Sequence, residues 1–192
     1  MAPKALLVSL KVIGAGGVTT SSAVIAALAE VRDFNADGRR LVARGVNLSI
    51  GCECHPDEFA AGQSPLCREL DHLAGTGVVA VVSAGNAGAG GTVTGGSTDV
   101  HGRMCTITVG STHRSAPHVS GAVAAFLSVR DEYIGQPDGA RQLFMGNATS
   151  LGRHEFFQGA GLVDLMRWWW NGFQPLRRGD RPAGPIPLRT RT

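Results

Sequence analysis

The chain has 192 residues, which is the length of one domain with room for a sizeable core. Hydrophobic residues make up 43% and charged residues 17% of it, as is typical of globular proteins. The net charge of +3 comes largely from arginines near the C-terminus, and no apolar run approaches a membrane span, so the composition argues against a nucleic-acid partner and against a membrane protein.

The first predicted element is a buried strand over residues 5–13, which are rich in Leu and Val and end at Gly14-Ala-Gly-Gly17. Residues 23–34 carry apolar side chains at a helical period and predict a helix. The Thr and Ser residues at positions 19–22 can supply its N-cap. Asn35-Ala-Asp-Gly38 is predicted to end it.

A second strand is predicted over residues 46–50, closed by Gly51 and followed by an irregular loop over residues 52–62. Ser64-Pro65 begins a second helix, because Pro is tolerated in the first turn. Gly75 and Gly77 end this helix. Three leucines line one face of it: Leu66, Leu70 and Leu73.

Residues 78–82 are apolar at every position, as in a central parallel strand that is buried on both faces. A helix of small residues, which allow close packing, is predicted from Pro117 to Leu127. The remaining predictions are a Gly- and Thr-rich loop, a short strand, a helix and a short apolar element, at residues 87–102, 106–109, 138–144 and 161–166.

The alternation of strands and helices predicts an α/β fold of three layers, a mainly parallel sheet with helices on its faces. Sites in such sheets lie at the carboxyl ends of the strands. Gly51 and Gly85-Asn86 both follow predicted strands and are therefore placed at that edge by the pattern alone.

The cysteines do not follow a zinc-binding pattern, because the second ligand pair is missing. Cys54-His55 could bind a metal in principle, but core or loop cysteines, or one disulfide, are favoured, and we predict no metal and no cofactor. The cysteines are Cys52, Cys54, Cys67 and Cys105. No secretory leader is visible, so a cytoplasmic location is expected if Met1 is the true start.

Two other patterns are weaker. The Gly-rich stretches after residues 13 and 84 lack the G-x-G-x-x-G and Gly-Lys-Ser/Thr signatures of nucleotide-binding loops, so plain turns are favoured. Trp168-Trp-Trp170 could anchor a partner or belong to an arbitrary tail, and we favour the tail.

The chain resembles the subtilisin-like serine proteases (subtilases, peptidase S8 family) over most of residues 1 to 167. Residues 1–14 resemble the family's first strand after the helix of its catalytic His. The other matching segments follow in the family's order: Asn47-Leu-Ser-Ile-Gly51, Gly77-Val-Val-Ala-Val-Val-Ser-Ala-Gly-Asn86, Ile107-Thr-Val-Gly110, Ala116-Pro-His-Val-Ser-Gly121 and Gly159-Ala-Gly-Leu-Val-Asp164.

This resemblance implies a polypeptide substrate held by two groups of residues. Three would pair with an extended substrate backbone: Ser49, Ile50 and Gly51. Three small residues would form the wall of the pocket for the substrate side chain before the scissile bond: Ser83, Ala84 and Gly85. Their small size would leave room for a large apolar group. Asn86 would donate a hydrogen bond to the oxyanion, an interaction worth about 3 kcal/mol in acyl transfer. Without the resemblance, the favoured interpretation of Asn86 is a loop residue that stabilises a turn.

The residues that perform catalysis in the family are not matched. Its catalytic Asp and His belong to segments upstream of Met1, and His118 lies in a Pro-His-Val motif that is structural in the family. The nucleophile's Gly-Thr-Ser-Met is absent before Ser115, and an internal deletion explains this better than a replacement by His113. The hydroxyls that remain nearby have no motif-matched base, and a Ser that is not activated is a poor nucleophile.

We therefore expect residues 1–167 to form a partial subtilase domain, truncated and internally deleted, and residues 168–192 to be a disordered tail rich in Arg and Pro. The reaction implied by the family is peptide-bond hydrolysis by a serine-type endopeptidase, which we expect this chain not to perform alone. The alternatives are a non-catalytic peptide-binding module, with its groove along residues 47–51, and a gene fragment without function.

Overall fold

The computed structural model describes residues 2–50, 64–83, 115–154 and 158–167. The helices and strands in chain order are α1 (Ser21–Phe34), β1 (Gly45–Leu48), α2 (Pro65–Gly75), β2 (Val79–Val82), α3 (Ser115–Val129) and α4 (Pro137–Gly146). A 3₁₀ turn at Asp131–Tyr133 lies between α3 and α4. Over these residues, no helix is both long and apolar enough to cross a membrane.

The two strands are parallel, and Gly45 pairs with Val79 and Leu48 with Val82. Because neighbouring side chains of a strand point to opposite faces, β2 contributes to two apolar clusters. Val79 and Val81 pack with α3 and α4 in one cluster. Val78, Ala80 and Val82 pack with α1 and α2 in the other. The predicted α/β class is confirmed, with helices on both faces of a parallel sheet.

Helix α1 has the ends that the sequence predicts. Its N-cap is Thr20, whose hydroxyl accepts a hydrogen bond from the Ala23 amide at 3.2 Å. The helix ends at Asn35, and the next three residues have left-handed backbone torsions, with φ values of 48°, 54° and 85° for Ala36, Asp37 and Gly38. The chain therefore reverses here and leads toward β1.

The Asn35 side chain fixes the connection from α1 to β1. Asn35 is fully buried, and its Oδ1 accepts hydrogen bonds from the amides of Val42 and Ala43 at 3.0 and 2.8 Å. Its Nδ2 donates to the Ala43 carbonyl at 2.7 Å. One buried side chain thus satisfies three backbone groups of a segment that has no regular pairing of its own.

Helix α2 also begins and ends as predicted. Ser64 caps it by accepting from the Cys67 amide at 3.2 Å, and Pro65 occupies the first turn. Cys67 is a buried, free thiol of the apolar face, which agrees with the favoured core assignment. Arg32 Nε donates to Glu69 Oε1 at 2.8 Å, and this ion pair joins α1 to α2.

Helix α3 is the helix of small residues and begins at Ser115, two residues before the predicted Pro117. Phe126 is completely buried and contacts the rings of Tyr133 and Phe144 at centroid distances of 5.0 and 5.4 Å. The side chains that it buries are Ala116, Val119, Ala122, Val123, Phe126 and Leu127. Helix α4 contains the helix predicted over residues 138–144.

The strand predicted over residues 5–13 is wrong. These residues form no strand, and Leu6, Leu7 and Val8 are 97%, 92% and 71% exposed. A strand needs a neighbour for its backbone groups, and no described segment pairs with this one. Only Val12 packs against the cluster of α1 and α2, and its carbonyl accepts a hydrogen bond from the Thr19 hydroxyl at 2.6 Å.

The short apolar element predicted at residues 161–166 is a single antiparallel bridge followed by a helical turn. Leu162 and Thr149 exchange two backbone hydrogen bonds, each of 2.8 Å. The Asp164 carboxylate then accepts from the Arg167 amide at 2.9 Å and from the Thr149 hydroxyl at 3.1 Å. The loops predicted at residues 52–62 and 87–102, the strand at 106–109 and the tail at 168–192 lie outside the described residues.

Substituting Gly77 tests the turn between α2 and β2. Its φ is +97°, and an added Cβ would lie 2.8 Å from the Gly135 Cα. We expect Gly77→Ala to lower the free energy of unfolding by about 1–3 kcal/mol in urea denaturation, because both torsion and space oppose a side chain. The control is Gly75→Ala, where a Cβ meets no atom within 4 Å. Equal stability of the two variants would contradict the described turn.

Asn35→Ala tests the connection from α1 to β1. Because two amides and one carbonyl that bond to this buried side chain lose their partner, we expect a loss of about 1–3 kcal/mol in the free energy of unfolding. The matched control is Asn147→Ala, at the corresponding end of α4, where the side chain donates to the Leu143 carbonyl. A loss at Asn35 no greater than at Asn147 would show that the buried hydrogen bonds do not form.

Candidate functional site

The carboxyl ends of β1 and β2 lie side by side, as the sequence predicts. Ser83 directly follows β2, and its amide donates to the Leu48 carbonyl at 3.0 Å. Its hydroxyl donates to the Ile50 carbonyl at 3.1 Å. The structure therefore brings together Ser83 and Ile50, which belong to the two residue groups predicted to hold a substrate.

Ser83 is almost completely buried, with 3% of its surface exposed. A buried hydroxyl needs a hydrogen-bond partner, and here that partner is a backbone carbonyl of the neighbouring segment. The Ile50 side chain is half-buried and packs against the cluster of α1 and α2. Both contacts hold the segment just beyond β1 next to Ser83, the residue that follows β2.

A second polar link joins this segment to α3. The Asn47 Nδ2 donates to the Ser49 hydroxyl oxygen at 2.8 Å, and the Asn47 Oδ1 accepts from the Ser120 hydroxyl at 2.9 Å. The Ala116 carbonyl, one helical turn before Ser120, is a further acceptor for that hydroxyl at 3.0 Å. The Asn47 amide thus bridges the chain beyond β1 and a helix more than seventy residues later.

The sequence does not single out Asn47 for such a role. A usable signal is nevertheless present, because Asn is depleted in strands and this one stands between Val46 and Leu48. Val46 and Leu48 belong to the cluster of α1 and α2, so strand alternation directs Asn47 to the face covered by α3. Asn47 is exposed, and the polar group of α3 that its side chain contacts there is the Ser120 hydroxyl.

The carboxyl groups of Asp164 and Glu132 have shifted pKa values, and each shift has a local cause. The Arg167 amide, followed by the Thr149 hydroxyl, lowers the pKa of Asp164. Burial raises the pKa of Glu132, but the hydrogen bond and charge of Arg130 outweigh it, so that the pKa is lowered. These partners explain both shifts without a catalytic role.

The described residues contain no group of three or more His, Cys, Asp or Glu side chains that could hold a metal ion. His118 is exposed on α3. Four predicted site residues lie outside the part of the chain that the structure describes: Gly51, Ala84, Gly85 and Asn86. The roles of these four, and those of Ser49, Ile50 and Ser83, stay predictions.

Neither a protein-family model nor a curated protein sequence matches the chain. Among solved structures, it is similar to the prenylagaramide maturation protease PagA, with a TM-score of 0.54 and 13% sequence identity. The match covers 79% of this chain and 67% of PagA. The fold resembles that of a protease. At this identity the similarity concerns the fold alone and does not extend to individual residues.

Ser83→Ala tests the link between the two strand ends. We expect a loss of about 0.5–1.5 kcal/mol in the free energy of unfolding, because the Ile50 carbonyl loses a hydrogen bond. Hydrogen exchange should accelerate at the amides of residues 48–50. The control is Ser128→Ala on α3, whose exposed hydroxyl donates to the Ala125 carbonyl of its own helix. Unchanged exchange in Ser83→Ala would contradict the link.

Proposed function

We propose that the chain derives from the subtilisin family (subtilase, peptidase S8), whose members are serine-type endopeptidases that hydrolyse peptide bonds, and that it does not catalyse this reaction alone. The order of the family-like segments and the protease-like fold support this proposal. The observation that carries it is the contact of Ser83 with Ile50, because the resemblance assigns these residues to opposite parts of one substrate groove.

The proposed inactivity rests on the partners of the hydroxyls near the strand ends. Ser83 donates to a backbone carbonyl, and the Ser120 hydroxyl faces an amide oxygen and a backbone carbonyl. None of these acceptors takes up a proton at neutral pH, whereas a nucleophilic Ser needs a base that does so. Without a triad, an oxyanion site and substrate binding sustain at most about 10³–10⁴-fold acceleration over water.

The remaining roles in this proposal follow the family resemblance. Ser49, Ile50 and Gly51 would pair with an extended polypeptide backbone. Asn86 would donate to an oxyanion, and three small residues would wall the neighbouring pocket: Ser83, Ala84 and Gly85. Small side chains there favour a large apolar or aromatic group in the peptide.

Incubation with casein and with a fluorophosphonate probe tests the inactivity. We expect no cleavage products and no covalent labelling of the folded chain, because the acceptors that the Ser83 and Ser120 hydroxyls face do not take up a proton at neutral pH. An active subtilisin under the same conditions is the positive control. Labelling of one Ser that is lost on denaturation, or in a single Ser→Ala variant, would falsify the proposed inactivity.

A second candidate function is a non-catalytic peptide-binding module. The observation that favours it is that two hydrogen bonds fix the segment beyond β1, one from Ser83 to Ile50 and one from Asn47 to Ser49. A segment that is already fixed loses little conformational entropy when a peptide pairs with it.

Calorimetric titration with a blocked hexapeptide tests the binding module. The peptide contains five alanines and one phenylalanine at an internal position. Saturable binding without cleavage is the expected result. The same peptide with N-methylated amides should bind more weakly, because it cannot donate backbone hydrogen bonds. Absence of binding by the folded chain would contradict the module and favour a gene fragment without function.

A further inference from the structure

We propose that Asn47 and Ser120 form a positioning pair through which α3 sets the path of the peptide-binding segment. The pair would act through Ser49, the first residue of that segment, without touching the peptide itself. This inference rests on the proposed function, because it assigns the peptide to Ser49 and the residues that follow it.

The geometry forms a continuous chain of hydrogen bonds from the helix to the segment. The Ser120 hydroxyl lies 2.9 Å from the Asn47 Oδ1, and the Asn47 Nδ2 lies 2.8 Å from the Ser49 hydroxyl oxygen. Removing either side chain of the pair therefore breaks this path of hydrogen bonds from α3 to Ser49. The bond from the Ser83 hydroxyl to the Ile50 carbonyl remains in both cases.

Helix α3 does not need the Ser120 hydroxyl for its own stability. A serine hydroxyl that bonds the carbonyl four residues earlier competes with the helix and slightly destabilises it. The Ala116 carbonyl is such an acceptor, at 3.0 Å from Ser120. The distinctive contribution of this hydroxyl is therefore its bond across to Asn47.

The position of Asn47 in β1 leads to the same conclusion. It pairs in register with Val81, which is buried against α3, and strand alternation places it on that face of the sheet. An apolar residue would pack against the helix there without any hydrogen bond. Asn47 is exposed and adds little to the core, so its contribution is the bridge between two polar groups.

Four variants separate the effect of the pair on peptide binding from an effect on the stability of the whole fold. Asn47→Ala and Ser120→Ala each break the bridge, Ser120→Thr keeps the hydroxyl, and Ser128→Ala removes a comparable hydroxyl elsewhere on α3. Each variant is titrated with the blocked hexapeptide, its melting temperature is measured, and the side-chain amide resonances of Asn47 are recorded by NMR.

We expect Ser120→Ala and Asn47→Ala to weaken peptide binding by about three- to tenfold, the effect of one hydrogen bond. The double variant should lose no more than either single one, because both substitutions break one bridge. Ser120→Thr should bind like the unsubstituted chain, and Ser120→Ala should melt within the range of Ser128→Ala. The Asn47 amide resonances should shift in Ser120→Ala and not in Ser128→Ala.

If the unsubstituted chain binds the peptide and all variants bind it with the same affinity, the proposed positioning role of the pair is wrong. An affinity loss that Ser128→Ala shares, or that follows the melting temperature alone, would also overturn it. If the unsubstituted chain binds no peptide, the proposed binding function fails. The side-chain amide resonances of Asn47 then test separately whether the bridge from Asn47 to Ser120 forms. Their shift in Ser120→Ala supports the bridge, and unchanged resonances refute it.

Discussion

The fold depends on the burial of β2 on both of its faces. Val79 and Val81 are enclosed by α3 and α4, and Val78, Ala80 and Val82 by α1 and α2. Complete burial of a valine contributes about 1.5–3 kcal/mol, and a one-residue slip would exchange the two sets of side chains between unlike surroundings. The register with β1 is therefore fixed, and with it the place where the two strands end.

The candidate site is a consequence of that register. Because Leu48 lies opposite Val82, the next residues of the two strands meet, and Ser83 reaches the Ile50 carbonyl. Apolar packing thus determines the position, and a few hydrogen bonds determine the local path of the chain. The link from Ser120 through Asn47 to Ser49 adds α3 to this arrangement, so that all three layers contribute to one edge of the sheet.

The sequence predicted the structural features that depend on residues close together in the chain. The caps at Thr20 and Ser64 and the apolar run of β2 are encoded over short spans, and the structure agrees with them. The prediction of a strand over residues 5–13 was wrong. An apolar run shows a tendency to be buried, but it does not supply a second strand to pair with. The bridge from Asn47 to Ser120 was missed because it joins residues that are distant in sequence. At the site, the sequence pattern placed the residues that follow the two strands at the carboxyl edge of the sheet, whereas the roles of all the predicted site residues are still predictions from family resemblance.

The central claim is that the edge formed by Ser49, Ile50 and Ser83 is where a polypeptide would bind. The most direct measurement is an NMR study of the isotopically labelled chain saturated with the blocked hexapeptide. Intermolecular contacts between the peptide backbone and the amides of Ser49 and Ile50, with extended pairing, are the predicted result. Contacts confined to another surface, or unchanged resonances at this edge under saturating peptide, would contradict the account.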